Sequence, residues 1–206
     1  MNAPIKAIII GASGYVGGEL LRLIAGHPKF ELAAAVSDSR AGQLVGEAFG
    51  HLSQVLSGTR FVSRKDWLNE IEDGSNLALF SAAPHGASAE VIAAVIAASE
   101  EKNLVLHVVD SSADFRYPEQ SAWESIYGAQ HGAPELLSTF TCAVPEHLST
   151  ISTAHVGHPG CFATASLLAA VPLMRSGLTE PDVFISGVTG STGSGRIPQV
   201  GTHQDR

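Results

Sequence analysis

The tightest constraint on the fold lies near the N-terminus. Lys6 to Ile10 is a short run dominated by apolar residues, the pattern of a parallel strand covered on both faces. It passes directly into Gly11-Ala12-Ser13-Gly14-Tyr15-Val16-Gly17-Gly18. Glu19 to Ala25 then repeats apolar residues at helical spacing and stops at Gly26-His27-Pro28, and Glu31 to Val36 is a second apolar strand. Strand, glycine turn, helix, strand is the opening unit of a dinucleotide-binding α/β fold. The glycine spacing is G-x-x-G-x-x-G rather than the commoner G-x-G-x-x-G. The physical demands on each glycine are the same in both spacings. Gly11 makes the tight turn off the strand, Gly14 lets backbone approach a pyrophosphate, and Gly17 lets the helix pack close to the sheet.

The second strand ends at Ser37-Asp38-Ser39-Arg40. An acidic residue about twenty positions past the glycines ordinarily holds the ribose 2′-hydroxyl of NAD, and Asp38 fits that count. Ser37, Ser39 and Arg40 equally suit a 2′-phosphate, which means NADP. The two signals conflict. Further strands are expected at Asn76–Phe80, Val105–Val109, Phe140–Val144, Thr153–Gly157 and Asp182–Val188, with helices at Arg64–Ile71, Ala87–Ser99 and Thr164–Arg175. The loops that follow strands in such a sheet face the ligand. His85, in Ser81-Ala82-Ala83-Pro84-His85-Gly86, is therefore either a ligand contact or a hydrogen-bonded loop histidine. In Asp110 to Arg116, Arg116 is the candidate for binding a carboxylate or phosphate, while Asp110 and Asp114 orient loops or pair with it. Trp123, Tyr127 and His131 fall in a segment expected to be irregular and to cover the sheet edge.

One of the two cysteines stands in His158-Pro159-Gly160-Cys161, directly before a helical run. Unpaired N–H groups and the positive end of the helix dipole favour a thiolate at such a position, and the thiolate is the nucleophile. The opposing reading is a small apolar residue packed under the turn. Cys142 lies inside an expected strand and is read as structural. Thr189 to Arg196 is a Gly/Ser/Thr loop with one cation, suited to an anion or to a plain linker.

Bulk properties exclude some classes. A formal charge of −8 without a basic run argues against nucleic-acid binding. Two cysteines make no disulfide framework, no signal peptide precedes the first strand, and no apolar run is long enough for a bilayer, so a cytoplasmic protein is expected. No metal site is expected.

Taken together the motifs resemble the N-acetyl-gamma-glutamyl-phosphate reductases, within the wider semialdehyde dehydrogenase superfamily. The matching stretches are Gly11 to Gly17 with Glu19-Leu20-Leu21-Arg22, Asp110 to Arg116, Tyr127-Gly128 with Pro134-Glu135-Leu136-Leu137, Val144-Pro145-Glu146, Pro159-Gly160-Cys161 with Ala163-Thr164-Ala165, and Ser186-Gly187-Val188 through Ser194-Gly195-Arg196. The resemblance implies an α/β chain: a Rossmann-type parallel sheet with helices on both faces over residues 1–158, followed by the start of an α+β catalytic/dimerisation domain over 159–206. It implies NADP-dependent reduction of a small acyl phosphate through a thioester on Cys161, in arginine biosynthesis. The implied cofactor contacts are Gly11, Ser13, Gly14, Tyr15, Val16, Gly17, Ser37, Arg40, Ala83 and Pro84. The implied substrate contacts are Ser112, Arg116, Gly160 and Arg196. The resemblance also implies that full-length relatives are homo-oligomers. A carrier-linked aminoadipyl phosphate of lysine biosynthesis is the alternative substrate, and a non-catalytic nucleotide-binding module the alternative class. The family's general acid/base histidine lies beyond Arg206, and His203 matches an earlier segment. A truncated chain with little turnover is therefore expected.

Overall fold

The computed structural model describes residues 4–180 and 182–196. Seven strands form one sheet: β1 (Ile5–Ile10), β2 (Phe30–Val36), β3 (Phe61–Val62), β4 (Asn76–Ser81), β5 (Val105–Asp110), β6 (Phe140–Cys142) and β7 (His155–Gly157). Their order is β3-β2-β1-β4-β5-β7-β6 and every neighbouring pair is parallel. Five helices accompany them: α1 (Tyr15–Ala25), α2 (Val45–Ala48), α3 (Ser88–Glu101), α4 (Gln120–Tyr127) and α5 (Cys161–Arg175). This is the expected Rossmann-type sheet. Because all strands run the same way, every strand's carboxyl end lies on one edge.

The near-continuous apolar run of β1 follows from burial on both faces. Ile8 and Ile10 join Val36, Leu77, Leu79 and α3's Ile92 and Val95 on one face. Ala7 and Ile9 join Leu21 and Ile24 of α1, with Val45, Phe49 and Phe61, on the other. Alternate residues of a strand point to opposite faces, so a strand sandwiched by helices needs apolar residues at both parities. Fully burying a side chain such as Leu21 contributes about 1.5–3 kcal/mol.

Three expected elements differ. No strand forms among described residues 182–188; there Phe184 and Val188 are 95% and 98% exposed. An apolar run becomes a strand only where a neighbour completes its hydrogen-bond ladder. The helix expected at Arg64–Ile71 is a 3₁₀ segment, Trp67–Glu70, whose chain is held from outside: Lys102 donates Nζ hydrogen bonds to the carbonyls of Leu68 and Ile71, each at 2.8 Å. Trp123 and Tyr127 belong to α4 rather than to irregular chain, and α4 ends on Gly128 at φ +67. His203 and the part of the 159–206 segment after Arg196 lie outside the described residues. No described helix is long and apolar enough to cross a membrane.

Candidate active site

The turn after β1 is built by contacts that admit only glycine at two of its three positions. Gly11 has φ +72, and a Cβ there would stand 2.4 Å from the Ala82 carbonyl oxygen of the β4 loop. A Cβ on Gly17 would stand 2.4 Å from the Gly11 oxygen, so the helix touches the turn directly. Gly14 differs. It is the N-cap of α1 in extended backbone at φ −77, and an added Cβ would meet only the Gly11 oxygen at 3.4 Å. Nothing inside the protein demands glycine there, whereas close approach of a ligand to the backbone does. No side chain caps α1, so its first N–H groups remain available to an anion. Tyr15 and Val16 are exposed beside them.

The hydroxyls of Ser13 and Ser37 are 2.8 Å apart and tie this turn to the end of β2; Ser39 lies 3.3 Å from Ser37. Arg40 donates to Gln43 Oε1 at 3.1 Å. Both carboxylate oxygens of Asp38 are engaged by Arg64. Its Oδ1 accepts the Arg64 backbone N–H at 2.8 Å and its Oδ2 accepts the Arg64 Nε–H, and this backbone bond leads the effects that hold the carboxyl below its usual range. A cavity of about 660 Å³ opens beside the pair. Ile10, Leu68, Val91, Val95 and Ala98 give it apolar walls, and the exposed Asp38, Arg64 and Lys65 also line it. Those walls fit a purine ring, and with the Gly14 turn they fit a nicotinamide dinucleotide.

Ala83 and Pro84 follow β4, where Ala82 N–H reaches the Ile10 oxygen at 2.9 Å, so this loop abuts the glycine turn. His85 Nδ1 accepts the Ala113 N–H at 3.0 Å, and the residue is exposed. The loop after β5 is built around buried acids. Asp110 accepts from Ser88, from the Ser112 hydroxyl and from the Ser112 N–H; burial pushes its carboxyl above the usual range against the downward pull of those bonds. Asp114 accepts the N–H groups of Gly86 at 2.7 Å and Ala89 at 2.9 Å, and so caps α3 from the loop after β5. Among the described residues neither acid pairs with Arg116. Ser112 is 1% exposed, and its hydroxyl donates to Asp110 and accepts the Asp114 N–H. That commits its side chain to the loop.

β7 leads to the candidate nucleophile. Gly160, at φ +102, is the N-cap of α5, and Cys161 is the first helical residue, with an exposed thiol. His158 staples this turn: its Nδ1 accepts the Gly160 N–H at 3.1 Å, and its Nε2 lies 3.2 Å from the Thr164 hydroxyl. Burial, and secondarily the Arg116 charge, push the His158 imidazole toward its neutral form. Arg116 reaches the same turn, with Nε donating to the His158 carbonyl at 3.1 Å and Nη1 to the Tyr127 hydroxyl at 3.3 Å. A Cβ on Gly160 would meet the Arg116 guanidinium at 3.0 Å, so the cation lies directly against the residue before the thiol. The role of His158 had no local signal, since both its partners follow from the turn's geometry.

Arg196 goes elsewhere. Its guanidinium lies 4.7 Å from the Phe49 ring centroid and 5.2 Å from that of Tyr15, and donates to the Ala48 carbonyl at 3.2 Å. The expected substrate cation thus packs against the start of α1, and Arg116 alone of the two reaches the Cys161 turn. Cys142, read as structural, ends β6 in register with Gly157; it is exposed, and burial of its thiol raises its pKa.

The chain is similar to known proteins over most of its length. A family described as semialdehyde dehydrogenase, NAD binding domain, matches residues 6–150, and one described as semialdehyde dehydrogenase, dimerisation domain, matches 161–206. An N-acetyl-gamma-glutamyl-phosphate reductase of Corynebacterium glutamicum is 37% identical over 95% of this chain and 54% of its own length. Another, of Acidothermus cellulolyticus, is 37% identical over 93% of this chain and 52% of its own. A protein of Aeropyrum pernix with the provisional name LysW-L-2-aminoadipate/LysW-L-glutamate phosphate reductase is 39% identical over 90% and 50%. The chain spans about half the length of these curated relatives. With the NAD-binding match running through most of a seven-stranded parallel sheet, the chain belongs to the semialdehyde dehydrogenase family.

Proposed function

We propose that this chain carries the cofactor-binding and nucleophile-bearing parts of an NADP-dependent acyl-phosphate reductase. Its reaction would convert N-acetyl-gamma-glutamyl phosphate into N-acetylglutamate semialdehyde and phosphate, in the cytoplasmic route to arginine. Residues 1–158 would bind the dinucleotide, and 159–206 would begin the catalytic and dimerisation domain. The observation that carries this reading is the exposed Cys161 at the start of α5, on the same sheet edge as the Gly11–Gly17 turn.

In this reading the Cys161 thiolate attacks the acyl carbon. A C–S bond forms, the C–O bond to phosphate breaks, and inorganic phosphate leaves with the electron pair. The unpaired N–H groups of the first α5 turn, which a helix start leaves without intrahelical partners, would bind the developing oxyanion. Arg116, against Gly160, would hold the anionic end of the substrate. His158 would hold the turn in place through Gly160 and Thr164. A bound nicotinamide would supply the hydride equivalent that takes the acyl carbon to the aldehyde level, and Cys161 would leave that carbon as the thiolate when the aldehyde is released. Gly11, Ser13, Gly14, Tyr15, Val16, Gly17, Ser37, Ala83 and Pro84 would surround the cofactor, with Arg40 near its adenosine end.

The test is covalent trapping. Incubation with the acyl phosphate, followed by intact-mass and peptide mapping, is expected to give an acyl adduct on Cys161 that is absent from Cys161→Ser. Dinucleotide binding without acylation of the wild-type chain would instead support a non-catalytic nucleotide-binding module. The Aeropyrum relative favours a second substrate, a carrier-linked aminoadipyl phosphate. Comparing acylation by the two acyl phosphates separates these readings.

A further inference from the structure

Asp38 holds the place where a carboxylate ordinarily accepts from the ribose 2′-hydroxyl and so selects NAD. Both of its oxygens are instead engaged by one residue, Arg64, through the backbone N–H and Nε–H. Arg64 lies 26 positions further along, after β3. It comes alongside because β3 pairs with β2 in parallel, Val36 opposite Val62. We propose that Arg64, oriented by Asp38, is the residue that selects a 2′-phosphorylated dinucleotide. This rests on the dinucleotide reading of the glycine turn given above.

Three observations support the assignment. First, the Arg64 backbone N–H bond anchors the Asp38 carboxylate beside this residue, and the Nε–H bond orients the guanidinium on it. Among the described residues only its Nε is bonded, which leaves the Nη groups for an anion; a planar fork suits phosphate. Second, the pair lines the 660 Å³ cavity whose apolar walls fit an adenine. Ser37, beside Asp38, is bonded to Ser13 of the pyrophosphate turn, so the pair stands between a base slot and a pyrophosphate site. Third, the local charge is positive once the pair is neutralised. Among the residues lining the cavity, Asp38 and Arg64 offset one another and Lys65 adds a cation. An acid that would repel a 2′-phosphate is thereby turned into the anchor of a cation that attracts one.

The experiment is a binding titration on the 206-residue chain with NADPH and NADH, and with the fragments 2′,5′-ADP and 5′-AMP. The wild-type chain is expected to bind NADPH more tightly than NADH. Arg64→Ala is expected to weaken NADPH and 2′,5′-ADP by about tenfold or more, the loss of a charge-assisted bidentate contact, while NADH and 5′-AMP stay within about threefold. Arg64→Lys, which keeps charge but not the fork, is expected to fall between. Equal losses for phosphorylated and unphosphorylated ligands, or no loss, would overturn the assignment of Arg64 and leave the dinucleotide reading standing. Failure of the wild-type chain to bind either dinucleotide would overturn both.

Discussion

Helices α1 and α5 make an instructive pair. Each begins with glycine as its N-cap, each follows a strand of the same sheet, and neither has a side-chain cap. Yet α1 buries Gly17, Gly18, Leu21 and Ile24, whereas α5, with Phe162, Leu167, Leu168 and Leu173 exposed, buries no residue. The α1 sequence is amphipathic, with Glu19 and Arg22 paired on its outer side at 2.8 Å. The α5 sequence is apolar nearly all round, the composition of a helix meant for burial. In the described chain it is held by its turn and by a few polar contacts, such as His147 Nε2 at 2.9 Å from the Leu167 oxygen. The comparison teaches that chemistry at a helix start and packing along its body are separable: α5 can present Cys161 through its first turn alone.

The comparison breaks most decisively at Gly17. Gly17→Ala puts a methyl 2.4 Å from the Gly11 oxygen, and the backbone must move; a loss of about 3 kcal/mol is expected by chemical denaturation. A pair of leucines sharpens the contrast. Leu21→Ala is expected to cost about 2–5 kcal/mol, Leu168→Ala no more than about 0.5 kcal/mol. A Leu168 loss equal to that of Leu21 would mean that the face of α5 is covered in solution.

Smaller effects concern the thiols and the turn. At neutral pH iodoacetamide is expected to label Cys161 before Cys142, whose thiol pKa is raised by burial; peptide mapping reads the order. His158 has a folded pKa below its ordinary value, for burial first and Arg116 second. Its contribution is therefore fully present above the unfolded histidine value and lost as pH falls through the folded one. The protection of the Gly160 amide against hydrogen exchange, relative to the intrinsic rate at each pH, is expected to fall over that acidic window, and unchanged protection would show that the His158 bond does not hold the turn. Arg196→Ala removes two aromatic contacts and is expected to cost a similarly small amount, about 0.5–1 kcal/mol. Faster proteolysis between residues 189 and 196 would report it.

Much of the sheet was legible because burial on both faces of a parallel strand imposes a local composition, as in Ala7 to Ile10 and Leu77 to Phe80. Cys161 at a helix start was legible for the same local reason: Pro159-Gly160 ends one element and Ala163 onward begins another. The strand expected at 182–188 was not, because its apolar composition is compatible with a ladder but cannot create the neighbour. Trp123 and Tyr127 were misread as irregular since an eight-residue helix with one buried side chain leaves little periodic signal.

By itself, then, the sequence determined most of the sheet's strands and the chemistry each loop can offer: glycines where backbone must turn or touch, a thiol at a helix start, acids and cations after strands. Only the tertiary structure decided which of those groups meet. Strand order brought Arg64 to Asp38, Asp114 to the start of α3, Arg116 to Gly160, and Arg196 to Tyr15 rather than to the thiol. The physical reason is range. Backbone conformation and burial periodicity act over a few residues and leave a local trace, whereas an ion pair or a cap between elements depends on distances set only after the sheet has assembled.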